Sequence, residues 1–237
     1  MSFERAGNGL PGNWENTISK NTVPSSKNIT LDASQGLLSD YLTTEKASGQ
    51  ALSPDEREKI ATDLAKRVST ESEQKPTYSL ENVKLVEDSL DAYRTYANAV
   101  GGLFLASAKN YPDNEATLMR QAFASGDPVD FAKLSPNAAA YRTLAKDLAK
   151  VPAPRSLANI HLRFMNDYTA IAQALVDVQN IPQDGMRGMV GITIYNKHLT
   201  DALRAGKDLA DFFTKNSVTF SPQESGYFLT TKTGQGQ

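Results

Sequence analysis

"LENVKLVEDSLDAYRTYANAVGGLFLASAKNY", Leu80 to Tyr111, places Val83, Val86, Leu90, Tyr93, Ala97, Val100 and Phe104 in steps of three and four, and Tyr111 continues the seam. An α-helix turns once every 3.6 residues, so steps of three and four keep apolar groups on one face, whereas a strand needs a period of two. The spacing predicts one helix over about 80–110, roughly 45 Å long at 1.5 Å per residue.

The same pattern repeats outward from this stretch. Ser135 and Pro136 read as a cap and first-turn pair, followed by Tyr141, Leu144, Leu148 and Val151. Leu157, Ile160, Phe164, Ile171, Ala174 and Val178 form another seam, and Met189, Ile192, Leu199, Leu203, Ala210 and Phe213 a third. Toward the N-terminus, "SPDEREKIATDLAKRV" opens with Ser53 at an N-cap, Pro54 at the first helical position and Glu56 where a capping box needs it. Period-two alternation is nearly absent. Short links such as "NYPDN", "SGDP", "KVPAP" and "NIPQDG" separate the seams and favour antiparallel neighbours.

The expected fold is therefore all-α: an elongated antiparallel bundle of about six or seven helices. Long helices are expected near 80–110, 154–180 and 186–216, and shorter ones near 31–47, 54–70, 114–125 and 136–150. Residues 1–29, rich in Gly, Asn, Ser, Thr and Pro, read as a flexible linker or stalk, with Trp14 its one large apolar group. The bundle domain is expected over 30–230. At its end "SVTFSPQESGYFL" reads as an extended strap whose Phe220, Tyr227 and Phe228 cross a bundle end, and 231–237 as a disordered tail.

Composition narrows the chemistry. The 237 residues are enough for a sizeable core without staples. With 25 Lys and Arg against 27 Asp and Glu, the net charge of -2 makes nucleic acid a poor partner, since its binding rests on neutralising phosphates. The absence of cysteine excludes thiol nucleophiles, disulfides and sulfur-ligated metal sites. No apolar run reaches the 18 or so residues that cross a bilayer, and the start has no basic segment leading into an apolar one.

His161 and His198 are the two histidines. His161 borders the seam of Leu157, Ile160 and Phe164, with Met165 and Tyr168 on its side of the helix and Asp167 pointing elsewhere; His198 lies beside Leu199 on a different helix. Two histidines facing across a bundle can ligate haem or join carboxylates around a metal, but the Glu-x-x-His pattern of di-iron bundles is missing at both, where Ala158 and Tyr195 stand instead. Packing is the expected role of His161, and no metal, cofactor or catalytic residue is assigned. A possible ligand groove between helices would be lined by His161, Met165, Tyr168, Tyr195 and His198.

The remaining motifs read as structural. "GNGLPG" from Gly7 matches a dinucleotide fingerprint as a string but lacks the strand and helix that give it meaning. "GMRGMVG" from Gly185 lacks a P-loop ending and reads as a close helix contact or a loose helix start. No serine sits in G-x-S-x-G. The acidic runs from Asp55 and Glu71 read as a first helical turn and a helix end, both solvated.

"LLSDYLTTEKASGQALSPDEREKI", "PTYSLENVKLVEDSLDAYRTYAN", "VPAPRSLANIHLRFMNDYTAIAQALVDV" and "FFTKNSVTFSPQESGYF" together resemble a group of uncharacterised all-helical proteins from candidate-phylum bacteria. The likeness runs from about Thr30 to Phe228 and rests on helix caps and core residues. It implies an extracytoplasmic domain of the cell envelope, tethered by one N-terminal membrane helix that has no counterpart in this chain. It carries no activity and no functional residues. The expected function is a non-enzymatic scaffold or protein-interaction module, with another envelope protein as partner. The alternative is a ligand-binding or sensory bundle that captures a small molecule or peptide between helices.

Overall fold

The computed structural model describes residues 28–36, 53–72, 75–109 and 113–231. Expectations for Trp14, residues 1–27, residues 37–47 of the helix expected near 31–47, Tyr111 and the tail beyond Thr231 lie outside them. The described chain is all-α apart from two two-residue strands: α1 (Pro54–Ser72), β1 (Leu85–Val86), α2 (Leu90–Lys109), α3 (Glu115–Ser125), α4 (Pro128–Ala132), α5 (Ser135–Leu148), β2 (Ala153–Pro154), α6 (Ala158–Gln179), α7 (Gly185–Lys215) and α8 (Tyr227–Thr231). Residues 29–36 are also helical.

Four helices, α2, α5, α6 and α7, carry the fold, and side-chain pairs fix their directions. Along α6 and α7, Arg163 meets Asp208, Asp167 meets His198 and Asp177 meets Arg187, so one helix descends as the other rises. Ser135 bonds Gln179 while Tyr141 stacks on Tyr168, which makes α5 and α6 antiparallel as well. Helix α2 runs parallel to α6, since Tyr96 faces His161 and Phe104 faces Tyr168. The all-α bundle expected from the apolar seams is observed, although Met189 and Leu203 of the expected α7 seam are 57% and 66% exposed and lie off its buried face.

Helix α6 is the central rod and serves two cores. Its first half joins Phe164 and Met165 to Tyr96, Ala97, Val100, Leu148, Leu157, Leu209 and Phe213. Its second half joins Ile171, Leu175 and Val178 to Leu118, Ala122, Phe131, Leu134, Tyr141 and Tyr195, with α3 and α4 closing that end. Fully burying one such side chain contributes about 1.5–3 kcal/mol, so these layers dominate the stabilisation.

Glycine explains how closely α7 approaches α6. A Cβ at Gly188 would meet Ile181 Cγ1 at 2.0 Å, and one at Gly191 would meet the Ala174 carbonyl oxygen at 2.8 Å. Two of the three glycines of "GMRGMVG", Gly188 and Gly191, thus make the close contact, while Gly185, the first residue of α7, meets nothing within 4 Å.

The opening stretch corrects the sequence reading at its start. The helix begins at Leu90, not near residue 80, and is 20 residues long. Ser89 caps it, accepting from Ala92 N at 3.0 Å. Before it, Leu80–Asn82 form a 3-10 turn and β1 pairs in parallel with β2. The segment that pairs with these residues lies 68 positions on, from Asp88 to Ser156. Pro152 and Pro154 hold the facing chain extended, because a proline disfavours helix in itself and in its predecessor. Ala153 N then donates to Lys84 O at 2.7 Å, and Ser156 N donates to Asp88 Oδ1 at 3.1 Å. A helical seam continued in the sequence only as far as its backbone was free.

Ser135 is the first residue of α5 and bonds Gln179 at 2.8 Å, so it is not the cap; Leu134 holds that position without a side-chain bond. "SGDP", read as a link, ends with Asp127 capping the short helix α4, accepting from Val129 N at 2.9 Å. The C-terminal strap is not extended throughout: after a reversal at Ser217, with φ of 55°, it turns and ends in α8. Leu229 is its buried anchor, Phe220 packs edge-on to Phe213 at 5.5 Å, and Tyr227 stays exposed. Ser53 and Glu56 do form the expected capping box, with bonds of 2.8 and 3.3 Å.

Candidate functional site

The five residues of the expected groove do not share one opening. His161 and Met165 are fully buried in the first core. The Tyr96 hydroxyl lies 3.2 Å from His161 Nδ1, and the two rings meet edge-on. Burial pushes the His161 pKa down to about 4, with the Leu148 backbone carbonyl acting in the opposite direction. The same burial pushes the Tyr96 hydroxyl well above the ordinary tyrosine range. Neutral imidazole and neutral phenol are what an apolar interior favours. Tyr168 stacks between Tyr141 and Phe164, at 5.8 and 6.1 Å, and Tyr195 is buried in the second core.

His198 lies elsewhere, on the α7 face turned toward Asp167. Its Nδ1 is 2.7 Å from Asp167 Oδ1. Asp201, one turn further along α7, completes a group whose nitrogen and carboxylate donors all fall within 4.8 Å of one another. The helix supplies the arrangement: residues three apart face the same way, and Asp167 projects from the antiparallel neighbour. Asp167 is buried, and its Oδ2 finds no hydrogen-bond partner among the described residues. Positive charge surrounds the rim. Lys197 Nζ lies 3.1 Å from Asp201 Oδ2, Arg204 NH1 lies 3.4 Å from Asp201 Oδ1, and Arg163 reaches Asp208 at 2.5 Å.

The structure therefore does not bring the two histidines together. Their separation by 37 positions gave no reason to pair either with a carboxylate, and Asp167 was expected to point away from the His161 seam, which it does. The di-iron pattern has its acidic residue three before the histidine, whereas "HLTD", His198 to Asp201, has one three after.

A shallow groove of about 280 Å³ separates α2 from α5, lined by Leu103, Ala106, Ser107, Ala140, Thr143 and Leu144 among others. It contains none of the five expected groove residues. Elsewhere a buried carboxylate, Glu115, takes a 2.5 Å bond from the Tyr141 hydroxyl and a 3.3 Å bond from Asn137, and holds the start of α3 against α5.

No protein-family model, no curated protein and no solved structure matches this chain. No helix among the described residues is long and apolar enough to cross a membrane.

Proposed function

We propose that this chain is a non-enzymatic interaction module, a helical bundle that presents an apolar strand edge to another protein of the cell envelope. The envelope setting and an N-terminal membrane tether outside this chain come from the resemblance alone. The observation that carries the interaction reading is local. Leu80, Leu85, Val86 and Leu90 are 37–59% exposed within one eleven-residue stretch. Successive strand residues point to opposite faces, yet both Leu85 and Val86 of β1 are exposed, so the strand offers apolar groups on each side. Among the described residues β1 has one partner strand, β2, so its other edge is the place where a strand of a partner would add. Of the side chains that would line a ligand groove, His161, Met165, Tyr168 and Tyr195 are engaged in packing, which favours a surface role over an internal one.

The test is a photo-crosslinking residue at Leu85 in the intact protein within its native envelope, with Lys150 as the exposed control. A discrete adduct at 85, absent at 150 and lost when Leu80 and Leu90 are both changed to Lys, supports the reading. Equal labelling at both positions overturns it.

A further inference from the structure

We propose that Asp167, His198 and Asp201 form a binding site for a divalent first-row transition metal ion, which ties α6 to α7. The Asp167 side chain is only 9% exposed. One of its oxygens is matched to His198, and the other, Oδ2, is shut off from water with no donor among the described residues. A carboxylate oxygen in that position calls for a donor or a cation. The nearby donor groups supply the rest of a coordination sphere, since all three lie within 4.8 Å of one another.

The ligand chemistry selects the class of ion. An imidazole with two carboxylates suits zinc, cobalt, manganese or ferrous iron, whereas calcium and magnesium require a fuller set of oxygen ligands. Three protein ligands leave a fourth, open position for water. Bonds of about 2.0–2.2 Å in a tetrahedron set the donors about 3.4 Å apart. The 2.7 Å contact between His198 and Asp167 therefore has to open by about 0.7 Å, within the reach of a side-chain adjustment. Asp201 is held by Lys197 and Arg204, whose side chains are 65% and 70% exposed, and ion pairs in water of that kind are weak enough to exchange for a metal. Both supporting helices are long and packed, so the three ligands start near their final positions.

The experiment uses the full chain purified without an affinity tag and stripped with chelator. Cobalt(II) and zinc are titrated in turn. The expected result is one equivalent of cobalt with intense visible absorption of a four-coordinate ion, displaced by zinc, and a melting temperature raised by at least about 3 °C at saturation. Asp201→Asn, at a partly exposed position, should retain the unliganded melting temperature and weaken binding at least about tenfold; His198→Gln should abolish the absorption band. A wild-type chain giving only the spectrum of hydrated cobalt and no thermal shift would overturn the proposal. So would binding that survives both substitutions. Neither result bears on the strand edge at Leu85, so the two readings fail independently.

Discussion

The Tyr96 hydroxyl and the His161 Nδ1 atom meet 3.2 Å apart at a point that solvent does not reach. Each side chain is the other's polar partner inside an apolar layer, with the Leu148 backbone carbonyl as the second polar group near the imidazole. The pair fixes how α2 sits against α6 without presenting reactive nitrogen to anything outside. Replacing His161 with Gln should cost about 1–3 kcal/mol, measured by urea denaturation, while leaving the adduct at Leu85 intact. Loss of the adduct at unchanged stability would contradict the packing role.

The same histidine sets an acid limit. Its pKa is about 4 in the folded chain against an ordinary value of 6.5, so the unfolded chain binds the extra proton between those values. Stability is complete above pH 6.5, falls as pH drops, and is fully lost from this source below about 4. The difference amounts to about 3 kcal/mol. Denaturation midpoints at pH 7, 5.5 and 4 should show the decline in the wild type and a much smaller one in the His161→Gln variant.

Glu224 acts in a lower window. It accepts from Ser221 N at 2.8 Å, from Asn98 at 3.1 Å and from Arg94 through both oxygens at 2.9 and 3.0 Å. The Ser221 amide, then Asn98 and Arg94, hold its pKa down to about 2 from 4.5. A depressed carboxylate stabilises above its unfolded value, so this clamp is complete above pH 4.5 and is lost as pH falls toward 2. Glu224→Gln should speed amide exchange at Gly226 and Leu229 at neutral pH; unchanged exchange would refute the clamp.

Two adjacent glycines on α2 should respond in opposite ways. A Cβ at Gly101 would lie 2.2 Å from the Ser225 carbonyl oxygen, while at Gly102 the nearest contact is 3.8 Å. Gly101→Ala should displace the C-terminal strap and destabilise by about 1–3 kcal/mol. Gly102→Ala should stabilise by up to about 1 kcal/mol through helix propensity. Paired thermal melts decide it, and equal effects would refute the close approach.

Asp184 should be costly to lose. It caps α7, accepting from Arg187 N at 3.1 Å, and also accepts from Ile29 N at 2.7 Å, Thr30 N at 3.0 Å and the Thr30 hydroxyl at 2.6 Å. Burial opposes its ionisation, but these bonds outweigh it and its pKa lies below the usual range. Asp184→Ala removes caps from two helix starts at about 1 kcal/mol each. A fall in melting temperature of about 4–8 °C is expected, with residues 29–36 becoming accessible to protease first. An unaltered cleavage pattern would refute the double cap.

How far the sequence could be read depended on the range of the interaction. The α6 seam, and the capping box at Ser53 and Glu56, lie within single helices, where residues three or four apart meet regardless of context; on α7 the buried face runs through Tyr195, Ala202, Ala205 and Leu209, and leaves Met189 and Leu203 exposed. The break before Leu90 has a local mark in the Ser89 cap, but the pairing of the preceding residues with "VPAP" comes from across the bundle and could not be read that way. Asp167 was legible as lying off the His161 seam, but its partner was not, since register between α6 and α7 depends on the close glycine contacts at Gly188 and Gly191. The "HLTD" spacing was present in plain view; only the facing carboxylate gives it meaning.

The shared carboxylate at Asp184 also defines a load path. Tension applied at Asn28 runs through two backbone amides and a hydroxyl into one side chain at the head of α7, and the Thr30 hydroxyl adds a link by accepting from Met186 N at 2.8 Å. These bonds act in parallel between residues 28–30 and the link that joins α6 to α7, so a pull from upstream is delivered to that hairpin at the head of α7 and not along a single bond.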